Sequence, residues 1–289
     1  MSLKTLGRWS WSLVVGLGLA GCEAAPPPGM EPAAELGEAV SAVSIPPITS
    51  FAWPPFANVT DVTLGAGHRT VAVAPGKPFT VSTDFFVRAD ACIGCKQQLV
   101  FGVPGGGAGC AYDGFGPAQS HADVQLLAPP GPGIFPVHGN HTRAPDCAGA
   151  LASANSGPPF GLIGVYADPW VWNWGTVNNV RLNGNSSHKI NVFPGEFVEV
   201  TTDFSLNPAA GGCPACWSQL VFGVEQGSKT CVYGGPGIPV SETNKSFLLT
   251  APTQPGLYPV WASPQWASNC QQAVSWANGG TPVAFLEVK

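Results

Sequence analysis

Two stretches of this 289-residue chain hold the side chains best suited to chemistry: "ACIGCKQQLVFGV" with Cys92 and Cys95, and "GCPACWSQLVFGV" with Cys213 and Cys216. A Cys-x-x-Cys pair gives a metal two thiolates, gives a redox protein its couple, or ends two structural crosslinks. The neighbouring cysteines weigh on the choice. Cys110 and Cys147 follow the first pair after gaps of 14 and 36 residues, so the second Cys-x-x-Cys knuckle of a zinc ribbon is missing. Both pairs run into an apolar, strand-like segment, whereas reactive pairs sit at a helix N-terminus that lowers the thiol pKa. Crosslinks are the expected use, provided the chain reaches an oxidising compartment.

The N-terminus meets that condition. Lys4 and Arg8 precede an uncharged apolar run from Trp11 to Ala20, too short to span a bilayer, and Leu19-Ala20-Gly21-Cys22 closes it. This order of charge, apolar run, small residues and Cys resembles the lipobox of bacterial lipoproteins over the first 22 residues. The resemblance implies a signal peptide over residues 1–21 and acylation of Cys22 with diacylglycerol and an amide-linked chain such as palmitate. It also implies a membrane-anchored place in the bacterial cell envelope: the outer membrane or cell surface, or the periplasmic face. Residues 22–50, rich in Pro, Ala and Glu, read as a flexible tether.

With Cys22 assigned to lipid, eight of nine cysteines remain, and they split evenly: Cys92, Cys95, Cys110 and Cys147, then Cys213, Cys216, Cys231 and Cys270. The split follows a duplication. "PGKPFTVSTDF" matches "PGEFVEVTTDF", "QLVFGV" recurs unchanged, "CAYDG" matches "CVYGG", and "PGIFPV" matches "PGLYPV". Offsets run from 119 residues (Pro75 to Pro194) to 123 (Pro132 to Pro255), so one unit occurs twice, over 51–167 and 168–289. Each unit alternates apolar and polar residues over short segments separated by Gly and Pro, which reads as about seven strands. The expected fold is all-β, two tandem β-sandwiches whose strand order resembles an immunoglobulin-like or fibronectin-type Greek key, with a jelly roll as the fallback. Two intradomain disulfides per repeat are expected. The favoured pairing ties the double-Cys loop to Cys231 and Cys270; a self-paired Cys-x-x-Cys that leaves Cys231 to Cys270 is the alternative.

Enzyme signatures are missing, and a non-enzymatic protein without cofactor or metal is expected. "PGGGAG" before a strand reads as a hairpin turn, His138 and His141 near Asp146 as a solvated loop, and the acids of "TDF", Asp84 and Asp203, as turn caps. A net charge of −5 without a basic run argues against nucleic acid as a partner. Tryptophan is more informative. Trp170, Trp172 and Trp174 alternate in "PWVWNWG", as expected of a leading strand that packs on its own domain or seals the joint between domains. Trp217, Trp261, Trp266 and Trp276 fall in or beside the cysteine-bearing loops of the second repeat, and where that repeat has Trp217 and Trp261 the first has Lys96 and His138. Those four are the candidate ligand-binding residues, suited to stacking on a glycan or a protein partner. The expected function is that of a lipid-anchored envelope protein in binding, adhesion or surface structure. A four-cysteine metal site or a thiol-redox function is the second reading.

Overall fold

The computed structural model describes residues 50–65, 67–88, 94–214 and 216–289. The signal peptide, Cys22 and the tether up to residue 49 lie outside the described residues, as does Cys92. Each repeat folds as nine strands, two more than the periodicity predicts. The first repeat holds β1 (Phe51–Trp53), β2 (Ala57–Leu64), β3 (Thr70–Val73), β4 (Pro78–Val87), β5 (Lys96–Gly102), β6 (Ala108–Phe115), β7 (Ala118–Leu127), β8 (Gly133–Thr142) and β9 (Pro159–Val165), with helix α1 (Cys147–Leu151) before β9. The second holds β10 (Trp170–Trp172), β11 (Gly175–Leu182), β12 (Lys189–Val192), β13 (Phe197–Leu206), β14 (Ser218–Val224), β15 (Lys229–Gly235), β16 (Val240–Thr250), β17 (Gly256–Trp266), helix α2 (Cys270–Trp276) and β18 (Thr281–Val288).

Each repeat is a sandwich of a four-stranded sheet, β1-β2-β4-β7 or β10-β11-β13-β16, and a five-stranded sheet, β3-β9-β8-β5-β6 or β12-β18-β17-β14-β15. The chain crosses between sheets after β2 and β11. As a result β3 pairs parallel with β9, Thr70 beside Leu162, and β12 pairs parallel with β18, Lys189 beside Phe285. All other pairings are antiparallel. A leading edge divided between two sheets, with Greek-key connections, is the immunoglobulin-like arrangement the sequence led us to expect. The shortest strands are the hairpin partners β1 and β10 and the edge pieces β3 and β12, each three or four residues long.

Burial follows residue pattern. β4 and β13 alternate, with Phe79, Val81, Phe85 and Val198, Val200, Phe204 inward and polar neighbours outward. β5 and β14 are buried almost throughout. Their inner face packs Leu99 and Phe101, or Leu220 and Phe222, into the sandwich cores. Val100 lies beneath α1, and Val221 lies beneath α2. That double coverage is why "QLVFGV" reads as one apolar run rather than an alternation, and each fully buried Phe there contributes roughly 2–3 kcal/mol. Its glycines make room for the cover: a Cβ on Gly102 would lie 2.5 Å from Asn155 Oδ1, and one on Gly223 would lie 2.3 Å from the Trp261 ring.

The cysteines hold these covers down. Cys110 on β6 bonds Cys147 at the start of α1, and Cys231 on β15 bonds Cys270 at the start of α2. Cys213 bonds Cys216 within its own motif, and Cys95 is also disulfide-bonded. The favoured pairing is thereby corrected in favour of the self-paired alternative. The physical reason is geometric: each helix starts over the mid-point of the neighbouring strand, while the double-Cys loop lies at the end of the sheet. Closing a loop with a sequence separation of 39 removes unfolded-chain entropy worth about 4 kcal/mol, against about 2 kcal/mol for a separation of 3. The helices are capped by Asp146, which accepts from Gly149 N at 2.8 Å, and Asn269, which accepts from Gln272 N at 2.9 Å.

The remaining outer face of each five-stranded sheet meets the other repeat. Ile134 and Leu162 pack with Leu257 and Phe285, flanked by Ala72 and Tyr166. These are the same two positions in each repeat, since Pro136 opposes Leu162 in one and Pro259 opposes Phe285 in the other. One polar cluster closes the contact: Glu287 Oε2 accepts from Thr70 Oγ1 at 2.5 Å and from Lys189 Nζ at 2.6 Å. The connection between repeats is pinned by Asp168, which accepts from Asn179 N and Val180 N and bonds His188 Nε2 at 2.7 Å, while His188 stacks on Tyr166. Among the described residues no helix is long and apolar enough to cross a membrane.

Burial pushes the Glu287 carboxyl up, but the hydrogen bonds from Lys189 and Thr70 and the charges of Lys189 and Lys289 outweigh it and hold the group below its ordinary value of 4.5. A pKa lowered by folding contributes stability above 4.5 and loses it as the pH falls through the folded value. Glu287→Gln is expected to cost roughly 1–3 kcal/mol at pH 7, the range for a buried charged hydrogen bond. The gap to the parent protein should close as the pH falls from 5 towards 3. Urea unfolding of both proteins across that range checks it, and a gap independent of pH would contradict it.

Candidate functional site

Three connections meet at one end of the second sandwich: the turn between β10 and β11, the β13–β14 connection with its disulfide, and the β15–β16 connection at 236–239. They surround a cleft of ≈ 510 Å³ lined by Trp172, Trp174, Asn207, Ala210, Pro239 and Val240. The loops are stiffened by their own chemistry. Asn207 N donates to Trp174 O at 2.7 Å, and Cys213 N donates to Pro208 O at 3.2 Å. Gly211 lies against the Trp174 ring, where a Cβ would come within 2.9 Å. Gly237 lies against the double-Cys loop, where a Cβ would meet Pro214 O at 2.4 Å.

Tryptophans form a continuous ladder through this end. Ring centroids are 4.4 Å apart for Trp170 and Trp172, 5.6 Å for Trp172 and Trp174, and 4.3 Å for the stacked pair Trp174 and Trp266. The leading strand covers only Trp170–Trp172, with Trp174 in the following turn, yet all three rings pack on their own domain core. Trp266 pairs in register with Ser218, next to Trp217. Trp217 is 50% exposed, and Ile238 in the adjoining connection is 62% exposed.

The four candidate tryptophans thus divide. Trp217 presents its ring to solvent, and Trp266 extends the ladder behind it. Trp261 is only 2% exposed, sealed with Val221 and Ala273 beneath α2, and so belongs to the core rather than to a binding surface. Trp276 is 52% exposed but sits at the far end of α2: its neighbour Ala277 accepts from Lys229 Nζ, and Lys229 pairs with Gly223 while Gly235 pairs with Ser218. Sequence alternation pointed to Trp170, Trp172 and Trp174 as structural, and missed that two of them floor a cleft. Ile238, an isolated apolar residue in "GGPGIPV", was the available signal for the second exposed side chain.

Comparison of the repeats shows what is particular to this end. Strand register places Phe56 and Arg143 of the first repeat where the second has Trp174 and Trp266. In the first repeat Arg143 lies 4.2 Å over the Phe56 ring. Lys96 and Asp113 form an ion pair of 2.9 Å where the second repeat has Trp217 and Gly234. His138, which bonds Gly157 O through Nδ1 at 2.7 Å, is replaced by Trp261. Three polar or charged arrangements have become aromatic, on the same backbone.

The remaining candidates are structural. His138 and His141 lie in β8 rather than in a solvated loop; His141 stacks on Phe56 and bonds Gln97, and burial, with the Arg143 charge, pushes its pKa down. Asp146 is the cap of α1. Asp84 and Asp203 lie within β4 and β13 beside bulges rather than at turns: Asp84 bonds His121 at 2.7 Å, and Asp203 accepts from Asn179 and Asn244. "PGGGAG" does turn from β5 into β6. A sulfur already in a disulfide has no thiolate to give a metal, and among the described residues no three His, Cys, Asp or Glu side chains gather as a metal site. No protein-family model matches the chain, and no curated protein matches it.

The two exchanged tryptophans have opposite expected behaviour. Trp261→Ala should cost about 3–5 kcal/mol by leaving a cavity under α2. Trp217→Ala should stay within about 0.5 kcal/mol of the parent, as exposed substitutions do. Denaturant unfolding of the two variants checks the ordering, and a reversed order would show that Trp217 is the structural residue.

Proposed function

We propose that this protein is a non-enzymatic, lipid-anchored component of a bacterial cell envelope. Cys22 carries the anchor and residues 22–50 hold two disulfide-crosslinked sandwiches away from the membrane. The tryptophan-lined end of the second sandwich binds a glycan. The observation that supports the reading is the set of exchanges between the repeats: the first repeat builds the same fold with Arg143, Lys96 and Asp113 at this end. Closing this end of the sandwich therefore does not by itself require tryptophan. Flat aromatic faces on loops held by a disulfide, prolines and close glycine contacts lose little freedom on binding, which suits the apolar faces of sugar rings.

The self-paired Cys213–Cys216 disulfide gives the redox alternative one foothold. It leads into strand β14 rather than into a helix whose N-terminus would favour a thiolate.

Co-sedimentation of the full chain with insoluble cell-wall and surface polysaccharides tests the binding role. Parent protein should pellet with at least one polymer, and Trp217→Ala combined with Ile238→Asp should release it while leaving the fold intact. A parent chain that stays in the supernatant with every polymer, or a variant that pellets equally well, would overturn the glycan reading. The anchor is tested by detergent-phase partitioning, which Cys22→Ala should abolish.

A further inference from the structure

Beneath Trp217 the exchange between repeats has left a buried donor without a partner. In the first repeat Gln98 is saturated: its Oε1 accepts from Ala144 N at 2.7 Å, and its Nε2 donates to Asp113 Oδ1 at 2.8 Å and to Ala144 O at 3.0 Å. The equivalent Gln219 is fully buried and keeps the first bond, accepting from Ala267 N at 2.8 Å, which fixes which end of the amide is which. Its Nε2 finds no partner among the described residues. The residue across the strand pair, in the position of Asp113, is Gly234. Gly234 is exposed, and a Cβ there would lie 2.7 Å from Cys270 Sγ. The disulfide under α2 therefore keeps a side chain of this chain from refilling the place of the lost carboxylate.

An unsatisfied buried N–H is costly, and one retained in a native structure calls for an explanation, of which an acceptor from outside the chain is one. Positions 217 and 219 share a face of the strand pair, because in the first repeat Lys96 and Gln98 both reach Asp113. We propose that this corner is a subsite for an N-acetylated sugar, deepening the glycan reading on which it rests. The apolar ring face and acetamido methyl lie on the Trp217 indole, and the acetamido carbonyl passes over Gly234 to accept from Gln219 Nε2. Among the neutral groups of a sugar, the acetamido carbonyl is the strongest acceptor.

The test is calorimetric titration of the full chain with a tetramer of β-1,4-linked N-acetylglucosamine, with the matching glucose tetramer as control. The acetylated tetramer should bind at one site, at least tenfold more tightly than the control. Trp217→Lys, which installs the residue of the first repeat, and Gln219→Met, which keeps the length and removes the donor, should each lose roughly tenfold or more, the worth of one stacking contact or one hydrogen bond. Because Gln219→Met is a core substitution, its fold is checked by thermal unfolding, and a transplant stands beside it. Lys96→Trp with Asp113→Gly rebuilds the arrangement in the first repeat and should raise the stoichiometry from one site to two. Parent-like affinity in Trp217→Lys or in folded Gln219→Met, equal binding of the two tetramers, or no second site in the transplant would overturn the subsite. Polymer co-sedimentation would still stand in those cases, so the subsite and the broader glycan reading fail separately.

Discussion

A β-sheet whose two faces are both apolar must be covered on both, and this requirement organises the molecule. The four-stranded sheets leave one face to water, and their strands alternate accordingly. The five-stranded sheets do not: β5, β9, β14 and β18 are buried along nearly their whole length. A sandwich partner covers one face only. The other is covered in two parts, by the short helices over β5 and β14 and by the opposite repeat over β9 and β18. Helices of five and seven residues have little stability of their own. The Cys110–Cys147 and Cys231–Cys270 bonds hold them in place, so the crosslinks act through the sheet they keep dry.

Once the cover is secured, the loop-bearing end of each sandwich is free to change. The first repeat fills it with an arginine over a phenylalanine and a lysine paired to an aspartate; the second fills it with stacked indoles. Both arrangements close the same core, which is why the difference carries functional weight that a single tryptophan would not. The buried Trp261 makes the contrast from the other side. It too replaces a polar residue, yet it packs under α2, where a larger apolar group deepens the cover.

Much of this was legible in the residues. The duplication, the all-β class, the crosslinked cysteines and the reach of "QLVFGV" into a doubly covered sheet all follow from patterns with a period or a repeat. Disulfide partners did not follow, because four sulfurs in one repeat permit three pairings and only the placement of α1 and α2 selects among them. A helix of five residues, such as "CAGAL", is too short to show a 3.6-residue period. The split between Trp217 and Trp261 was equally hidden: each is a tryptophan exchanged for a polar residue of the first repeat, and only the position of α2 decides which is sealed. Gln219 could have been flagged from sequence, since "QLVFGV" keeps its glutamine in both repeats while "CAYDG" loses its aspartate in "CVYGG".

The joint between the repeats shows how far the two halves have become a single object. Ile134 and Leu162 face Leu257 and Phe285, the same positions from each side, as in the contact of a symmetric dimer. Symmetry stops at the polar edge. Lys189 stands where the first repeat has Thr70, and Glu287 where it has Gly164. Gly164 cannot be a glutamate, because the Phe285 ring occupies the space a Cβ would need, at 2.6 Å. Two identical repeats would place either two glutamates or none at this contact. The chain instead places one, satisfied by a lysine of its own repeat and a threonine of the other. That cluster favours pairing of unlike halves over pairing of like ones. It fixes which face of each repeat is consumed by the joint, and it leaves the tryptophan-lined end of the second sandwich, built from β10, β13, β14 and β15, outside it.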